Sequence, residues 1–490
     1  MSRARLVIFD ALFVAILLYP RALPDIKTTK GGKKNGVKVR SSNYSHHDYN
    51  SNLQVGGRAM FNPITFGTEK CTGIDDFLRP EHLITEQDRM VIRTIRDFVN
   101  NEVLPHETEF DDYWDWTERE EHTFIHDLKK RLYVDLGFQK TLIPEEYGGL
   151  GMYSLVSANL VVEELVRGDL GFTTEATMNL WGLLPIVPPT PNEYLIKEFA
   201  PKLCGDKPFQ VASCLTEPHG GGSVEDLALK GKYIQTTCRL EGNEWVINGH
   251  KRWPSAYRTA DLYRVLCRVE GEEFPKNIAQ IYVPADTPGI TTSKPYLKMG
   301  CNIDTNGDVW FENVRAPKGY RAHEDPVEDL KSLIVNQSLG RAMPTTGKTV
   351  GIMKRAYEIL KAWVDQREIA GRPMKEHGVI VNELGQIAAD IMAAEAFVYS
   401  VAYRCDHPEI YGNPWDFKTL VVSDACKKTV GDIGWRVVNR ALDLMGSFGY
   451  SREGRMEKLV RDIKITQLWV GGPLLYLTEL SRYYFGTETL

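Results

Sequence analysis

The sequence predicts an α+β fold in three parts: a helical N-terminal domain, a central antiparallel β domain and a C-terminal four-helix bundle. Three observations lead to this prediction. Apolar residues recur at helical spacing from about residue 83 to residue 203. Short β-branched and aromatic runs, separated by Gly, Pro and Asn, follow up to about residue 314. Beyond residue 325 the apolar residues return to helical spacing in long segments. A chain of 490 residues is long enough for two or three domains with their own cores.

The N-terminal helical domain is assigned to residues 80–208. Thr85-Glu-Gln-Asp is a capping signal for a first helix, and the helical spacing of apolar residues begins at Met90. Pro105 ends or kinks that helix. A glycine-rich turn, Pro144–Gly151, precedes another apolar helix over Leu155–Leu165. Further helical segments complete this domain.

The β domain is assigned to residues 209–320. Glycine, asparagine and a Pro284–Gly289 turn separate short segments of strand composition, which is typical of antiparallel strands joined by tight turns. We expect a small barrel-like domain built from the runs Ile234–Leu240, Glu244–Ile247, Leu262–Val269 and Ile278–Val283.

The C-terminal domain is assigned to residues 325–487. Val379–Tyr403 and Thr429–Met445 are long, apolar and helically spaced, and Ile352, Ile359 and Trp363 lie on one face of a further helix. Three or four long helices imply a bundle.

Charge and motif content exclude several function classes. The net charge is -6 and the isoelectric point is about 6.1, which argues against a nucleic-acid-binding surface. The eight cysteines are scattered without a CxxC pair or metal-ligand spacing, so no metal site is predicted. No dinucleotide-binding G-x-G-x-x-G, P-loop or Ser/His/Asp signature is present, which disfavours the usual nucleotide-binding folds.

Residues 1–59 differ from the rest of the chain. Arg3 and Arg5 precede an apolar run at residues 6–19, which is shorter than the ~20 residues of a membrane span. The following segment, to about Gly57, is polar and is predicted to be disordered. Three interpretations stay open: a membrane-directing segment, a targeting leader, or a gene start placed upstream of a true start near Met60.

Six motifs in order resemble those of the acyl-CoA dehydrogenase family. Ile143–Gly151 is similar to the family's I-P-E-x-x-G-G-x-G turn, Leu215–Pro218 to its V-T-E-P motif, and Trp245–Trp253 to its I-N-G-x-K-x-W motif. Three more lie in the C-terminal domain, at Asp365–Gly371, Asp443–Tyr450 and Met456–Ile465. Each motif alone is weak, but their common order across residues 80–487 identifies the chain as a member.

The resemblance implies FAD bound between the β domain and the bundle, in a homotetramer or in a hetero-oligomer with a paralogue. The cofactor-binding residues that it implies are Leu215, Thr216, Trp253, Ser255, Arg367, Gly446 and Gly449. Trp253 would stack on the flavin, and Arg367 would contact the pyrophosphate of a neighbouring subunit's FAD. The implied substrate-binding residues are Ser223, Arg341 and Trp469.

The family's catalytic glutamate is missing. Its position holds Val470, which can still offer its backbone N–H to a thioester carbonyl but cannot accept a proton. Some members carry the glutamate instead just before the arginine that Arg341 resembles, where this chain has Gly340. The hypothesis is therefore a relocated base. Glu175, or less favourably Asp169, lies in the segment that lines the acyl pocket in the family.

Three functions follow from this pattern. The first is an acyl-CoA dehydrogenase with a relocated base, passing electrons to an electron-transferring flavoprotein or a similar acceptor. The second is a flavin oxidase or monooxygenase of the same fold, and the third is a non-catalytic subunit that binds FAD or an acyl-CoA. The expected location is the cytoplasm, or the mitochondrial matrix in a eukaryote, with membrane association through residues 6–19 as an alternative.

Overall fold

A computed structural model describes residue 77 and residues 79–112 and 123–488. The predictions for residues 1–59 lie outside these residues. The N-terminal part is helical, as predicted, with short 3-10 and π turns between its α-helices. Its helices are α1 (Glu86–Phe98), α2 (Glu107–Asp112), α3 (Thr123–Lys130), α4 (Leu155–Val166), α5 (Leu170–Leu183) and α6 (Glu193–Leu203).

Helix α1 begins at the predicted capping signal. The Thr85 hydroxyl accepts from the Asp88 backbone N–H at 3.1 Å, and the Asp88 carboxylate accepts from the Thr85 backbone N–H at 2.8 Å. This reciprocal pair satisfies two N–H groups that a helix start leaves unbonded. Ile92, Ile95 and Phe98 lie on the buried face of α1, so the local signal and the amphipathic spacing agree.

The central part is a mostly antiparallel sheet of seven strands, three more than the four predicted runs. The strands are β1 (Val211–Cys214), β2 (Thr237–Glu241), β3 (Glu244–Ser255), β4 (Leu262–Val269), β5 (Ile278–Pro284), β6 (Ile290–Thr292) and β7 (Asn306–Pro317). The order along the sheet is β1-β4-β2-β3-β7-β6, and β5 pairs with β4. The predicted antiparallel character is confirmed for most pairings, while β1 with β4 and β2 with β4 are parallel.

The C-terminal part is a bundle of long helices, as predicted. A two-stranded hairpin, β8 (Glu368–Ile369) and β9 (Arg372–Pro373), follows the second helix. The part of the bundle that matters most for the site is the turn between its last two helices. The helices are α7 (Pro326–Ala342), α8 (Thr345–Gln366), α9 (Gly378–Asp406), α10 (Pro408–Tyr411), α11 (Phe417–Tyr450), α12 (Met456–Leu468) and α13 (Gly472–Phe485).

A buried ionic network joins the N-terminal helices to the bundle. The Lys354 ammonium on α8 donates to Glu163 on α4 at 2.7 Å and to Glu395 on α9 at 2.5 Å. The Tyr399 hydroxyl donates to Glu163 at 2.7 Å. Buried charges of this kind are tolerated because each is paired and hydrogen-bonded.

Helix α9 is long and apolar enough to cross a membrane by length and composition alone. Ile391, Ala394 and Val398 on one of its faces are buried, and the helix packs against α4, α8 and α11. This packing is that of a core helix in a bundle, where an apolar face is covered by its neighbours.

Candidate functional site

A cleft of about 560 Å³ lies where the β domain meets helices of the other two parts. This volume is in the range of small-molecule and cofactor sites. The wall comes from six regions of the chain: helix α5, the loop after β1, the end of β3, the segment that leads from β6 into β7, the turn between α7 and α8, and the strip that joins α12 to α13. Six of the predicted site residues lie on it: Leu215, Thr216, Trp253, Ser255, Trp469 and Val470.

The Leu215–Pro218 turn enters the cleft in a fixed conformation. The buried Lys251 ammonium donates to the Leu215 carbonyl and to the Glu217 carboxylate, both at 2.8 Å. The Arg252 backbone N–H donates to the Thr216 carbonyl at 2.9 Å. These bonds tie the loop after β1 to the end of β3, so the polar atoms of Thr216 are presented to the cleft by a rigid support.

The end of β3 presents an aromatic ring and a hydroxyl to the cleft. Trp253 has a positive φ of 68°, a conformation that is an outlier for a bulky residue, and its side chain is 49% exposed. Such strain is found at binding sites whose surroundings hold the residue in place. The Ser255 hydroxyl donates to the Asp304 carboxylate at 2.7 Å, and the Asn306 amide donates to Ser255 at 3.2 Å.

The strip after α12 is a sharp turn whose backbone faces the cleft. Val470, Gly471 and Gly472 have consecutive positive φ values of 61°, 98° and 80°. The Tyr476 hydroxyl lies within hydrogen-bond distance of the carbonyls of Trp469 and Val470, at 2.7 and 2.6 Å. A β-branched residue with positive φ is strained, so the surrounding contacts hold this turn in its shape.

The loop after β1 packs directly on this strip. A Cβ atom on Gly222 would lie 2.5 Å from the Gly471 carbonyl oxygen, too close for any side chain. Glycine is therefore required at Gly222 by a close backbone approach. Ser223 belongs to the same 3-10 turn, Gly221–Val224, but it is not among the residues that line the cleft, whereas Gly221 and Gly222 are.

The predicted substrate-binding residue Arg341 lies just behind the cleft wall in a buried carboxylate cluster. Its guanidinium is fully buried and contacts Asp424 at 2.5 Å, Glu479 at 2.7 Å and Glu225 at 3.5 Å. Arg341 itself does not line the cleft, whereas Glu225 does. Burial raises the pKa of Glu225, and the nearby Glu479 adds to this against the opposing effect of Arg341.

Glu175 and Asp169, the two candidate bases, are both engaged outside the cleft wall. The Glu175 carboxylate lies 2.5 Å from the Lys129 ammonium and accepts from the Thr305 backbone N–H at 3.3 Å. Asp169 caps helix α5 and accepts from Lys458 at 2.8 Å. Neither residue lines the cleft, although Thr174 does. Glu175 as the base stays a prediction, and it would have to release Lys129 to reach the cleft.

Three predicted cofactor residues lie together at another place in the bundle. Arg367 follows α8, with its guanidinium 5.5 Å from the centre of the Trp363 ring. Gly446 interrupts α11 with φ 61°, and Phe448, next to Gly449, stacks on Trp363 at 4.8 Å. None of the three lines the cleft. Contact of Arg367 with the FAD of a second subunit, and the cofactor-binding roles of Gly446 and Gly449, stay predictions.

Buried polar atoms on the cleft wall fit a bound group with hydrogen-bonding edges. Ser213 Oγ, Glu225 Oε2 and Trp469 Nε1 are buried and make no hydrogen bond to any described residue, and all three residues line the cleft. Buried polar groups are normally satisfied, so such orphans call for a ligand. A flavin, with one polar edge and a flat face for the exposed Trp253 ring, suits this set of groups.

Sequence reasoning missed several charged residues on the wall, among them Glu225 and Lys348. Glu225 follows the predicted Leu215–Pro218 motif closely, but only the fold shows that it meets Arg341. Lys348 is the single charged residue between Ala342 and Met353. A lone charge in a run of small and apolar residues was the available signal.

Comparisons with known proteins show the family of this chain. Three family models match: "Acyl-CoA dehydrogenase, N-terminal domain" over residues 85–205, "middle domain" over 212–314 and "C-terminal domain" over 335–473. The glutaryl-CoA dehydrogenase of Desulfococcus multivorans is 26% identical over 400 residues, covering 81% of this chain and 94% of that protein. The probable acyl-CoA dehydrogenase YngJ of Bacillus subtilis is 27% identical over 410 residues, covering 83% and 99%.

One similar solved structure is an acyl-CoA dehydrogenase from Bacillus anthracis in complex with FAD. It superposes with a TM-score of 0.73 at 25% identity, over 85% of this chain and 69% of that one.

Proposed function

The chain belongs to the acyl-CoA dehydrogenase family, and we propose that it desaturates the Cα–Cβ bond of a CoA thioester. It is an oxidoreductase of this family with FAD as cofactor. The observation that carries the proposal is the shared cleft, where Leu215–Pro218, Trp253–Ser255 and the turn at Val470 meet although they are far apart in the sequence.

The residues on the β-domain side would hold the flavin. Leu215 and Thr216 would bond its polar edge, Trp253 would cover a face, and Ser255 would reach it from the position that Asp304 and Asn306 now fix. FAD, when bound, supplies the acceptor for the hydride that leaves the β-carbon. The substrate thereby loses one hydride to the cofactor and one proton to a base.

The turn at Val470 would polarise the thioester carbonyl. A backbone N–H can stabilise the charge that develops on the carbonyl oxygen whatever the side chain is. The positive φ values at Val470 and Gly471 and the bonds from Tyr476 keep the turn in one conformation. Loss of the glutamate side chain at this position therefore leaves the backbone's part of the chemistry intact.

Glu225 is the carboxylate best placed to accept the α-proton. Gly340 and Val470, the two positions where the family carries its glutamate, line the same cleft as Glu225. The Arg341 nitrogen Nη2, 3.5 Å from Glu225, is also 3.1 Å from where a Cβ on Gly471 would lie. Glu225 is thus next to the turn, and its raised pKa makes it a stronger proton acceptor than an exposed carboxylate.

Glu175 is the competing base. It would need to break the ion pair with Lys129 and turn towards the cleft that Thr174 lines. Glu225 needs no such movement, since it already lies on the wall, where its Oε2 makes no hydrogen bond and is 3.5 Å from Arg341 Nη2. This difference favours Glu225.

The proposal extends to partners and location. Electrons would leave the reduced cofactor to an electron-transferring flavoprotein or a similar acceptor. Assembly into a homotetramer, or into a hetero-oligomer with a paralogue, is carried over from the family. The cytoplasm, or the mitochondrial matrix in a eukaryote, is the proposed location.

Anaerobic titration of the purified protein tests the function. We expect a yellow protein whose flavin absorbance is bleached by at least one member of a panel of saturated CoA thioesters, with the matching enoyl-CoA as product. A yellow protein that none of them bleaches, but that consumes oxygen with another substrate, would instead support an oxidase. A colourless protein that does not bind added FAD would support a non-catalytic subunit.

A further inference from the structure

Lys348 on helix α8 is a buried cation that faces the cleft. Its side chain is 1% exposed, and the residue lines the cavity. Its ammonium lies 4.8 Å from the centre of the Trp469 ring. Within residues 79–112 and 123–488 no hydrogen bond or ion pair engages it.

The other buried lysines differ from Lys348 in having hydrogen-bond or ion-pair partners. Of the six buried lysines in the described part of the chain, four are paired with carboxylates and a fifth, Lys427, donates to the Thr466 carbonyl. Lys348 has only the face of an aromatic ring. The four paired lysines are Lys129, Lys251, Lys354 and Lys458.

An unpaired buried ammonium is unfavourable because it loses its hydration without a compensating partner. Burial accordingly lowers the pKa of Lys348 to about 8, against the opposing effects of Cys301 and Asp304. At pH 7 the group is still mostly protonated. A cation–π contact is weaker than an ion pair with a carboxylate, so the fold alone gives this charge little support.

The Asp304 carboxylate, whose charge acts on Lys348, does not form an ion pair with it. The Asp304 carboxylate accepts from the Ser255 hydroxyl at 2.7 Å and from the Ala256 backbone N–H at 3.2 Å. Lys427, whose ammonium is 6.0 Å from the centre of the same Trp469 ring, is a second buried amine close to Lys348. The surroundings of the Lys348 ammonium therefore favour an anion arriving from the cleft.

The position in the cleft indicates which part of a ligand would supply that anion. Thr174 lines the cleft on α5, in the segment that the family resemblance assigns to the floor of the acyl pocket. Trp469, under the Lys348 ammonium, directly precedes Val470, where the thioester carbonyl is expected. The Lys348 ammonium is therefore next to the expected position of the thioester, from which the acyl chain extends into the cleft.

We propose that Lys348 binds an anionic group on the acyl chain of the substrate, so that the preferred substrates are CoA thioesters of dicarboxylic acids. This inference rests on the proposed function for the identity of the ligand. A carboxylate at the end of the acyl chain forms a charge-assisted hydrogen bond with the ammonium, which is stronger than one between neutral groups. Chains without that carboxylate leave the buried charge unpaired.

Binding of matched thioesters tests the proposal. Glutaryl-CoA and valeryl-CoA have the same chain length, and so do adipyl-CoA and hexanoyl-CoA, and each pair differs by one terminal carboxylate. Calorimetric titration of the FAD-loaded protein measures their affinities without requiring turnover. We expect the wild type to prefer the dicarboxylic member of at least one pair. In Lys348→Met, the affinity for the dicarboxylic member should fall by roughly 10-fold to 100-fold. The affinity for the other member should stay within about 3-fold of the wild-type value.

Lys427→Met is the matched control. It removes a second buried amine that lies close to the Trp469 ring, but Lys427 does not line the cleft, so the preference should persist. Lys348→Arg keeps the charge and should keep the preference. This second variant carries the test if Lys348→Met does not fold.

Several results would overturn the proposal. One is a wild type with no preference in either pair, and another is an equal loss for both members of a pair in Lys348→Met, which would make Lys348 a general contact or a base. Loss of FAD from Lys348→Met with an unchanged preference would assign the charge to the cofactor. Failure of every thioester to bleach the flavin, with the calorimetric preference intact, would refute the desaturation reaction and leave the anion site standing.

Discussion

Replacement of Glu225 by glutamine is the sharpest test of the relocated base. The substitution keeps the size and the polar character of the side chain but removes its ability to accept a proton. Loss of a general base lowers a rate by roughly 10²- to 10⁴-fold. We expect the rate of anaerobic flavin reduction by a bleaching acyl-CoA to fall by that factor in Glu225→Gln, with normal flavin content.

The effect on stability should be small, which separates catalysis from folding. Arg341 keeps its shorter contacts to Asp424 at 2.5 Å and Glu479 at 2.7 Å when the 3.5 Å contact to Glu225 is lost. The variant also removes one of three carboxylates that share a single guanidinium. We therefore expect a change in unfolding free energy of about 1 kcal/mol or less, measured by denaturant unfolding.

The pH dependence gives a second readout. The base acts in its ionised form, and burial raises the pKa of Glu225 above its ordinary value of 4.5. The wild-type reduction rate should therefore rise with pH up to that raised pKa and then level off. In Glu225→Gln this rise should disappear and the remaining slow rate should be flat over the same range.

Two variants serve as controls in stopped-flow measurements. Glu479→Gln alters the same Arg341 cluster at a residue that does not line the cleft, and it should keep a rate within about 10-fold of the wild type, well short of general-base loss. Glu175→Gln tests the competing base. Wild-type reduction by Glu225→Gln together with a large loss in Glu175→Gln would refute our reasoning and restore Glu175.

Two further predictions concern the walls of the cleft. Arg341→Met leaves the buried Asp424 and Glu479 without their cation and should cost about 3–5 kcal/mol of unfolding free energy. Because burial already raises the pKa of Asp424, the loss should grow with rising pH as Asp424 ionises, which thermal melts at several pH values will show. Gly222→Ala places a Cβ 2.5 Å from the Gly471 carbonyl and should cost about 1–3 kcal/mol and weaken flavin binding. Gly385→Ala, which meets no atom within 4 Å, is its control and should not destabilise.

Local signals predicted the elements well where a single segment determines the outcome. The capping box at Thr85 and the strand Leu262–Val269 match the structure residue for residue. The parallel pairing of β1 with β4 was not predictable in the same way, because it depends on segments about fifty residues apart in the chain. The proposed domain boundaries at residues 208 and 320 stay predictions.

The site was predictable to the extent that motifs mark backbone turns. Leu215, Trp253 and Val470 come together on one wall because each belongs to a motif with a required loop shape. Side-chain direction was not predictable. Glu175 lies on the expected helix, but its carboxylate meets Lys129 of α3, a contact that no local pattern indicates.

Arg341 is a second residue whose side-chain direction was not predictable from the sequence. Its sequence context resembles a substrate-binding position, yet three carboxylates from different parts of the fold surround its guanidinium. The residue supports the cleft wall through Glu225 and is itself covered. A charged residue in a helix can face a ligand or a buried partner, and only the packing of the other elements decides between them.

Val470 separates two roles that a glutamate would combine at this position. A glutamate there would supply both a backbone N–H and a carboxylate, whereas valine supplies only the N–H. The strained φ of 61° costs about 1–3 kcal/mol for such a residue, and the Tyr476 hydroxyl and two following glycines maintain the turn nonetheless. Retention of a costly backbone shape after loss of the acid is expected if the backbone still binds the thioester carbonyl and a neighbouring carboxylate has taken over the proton.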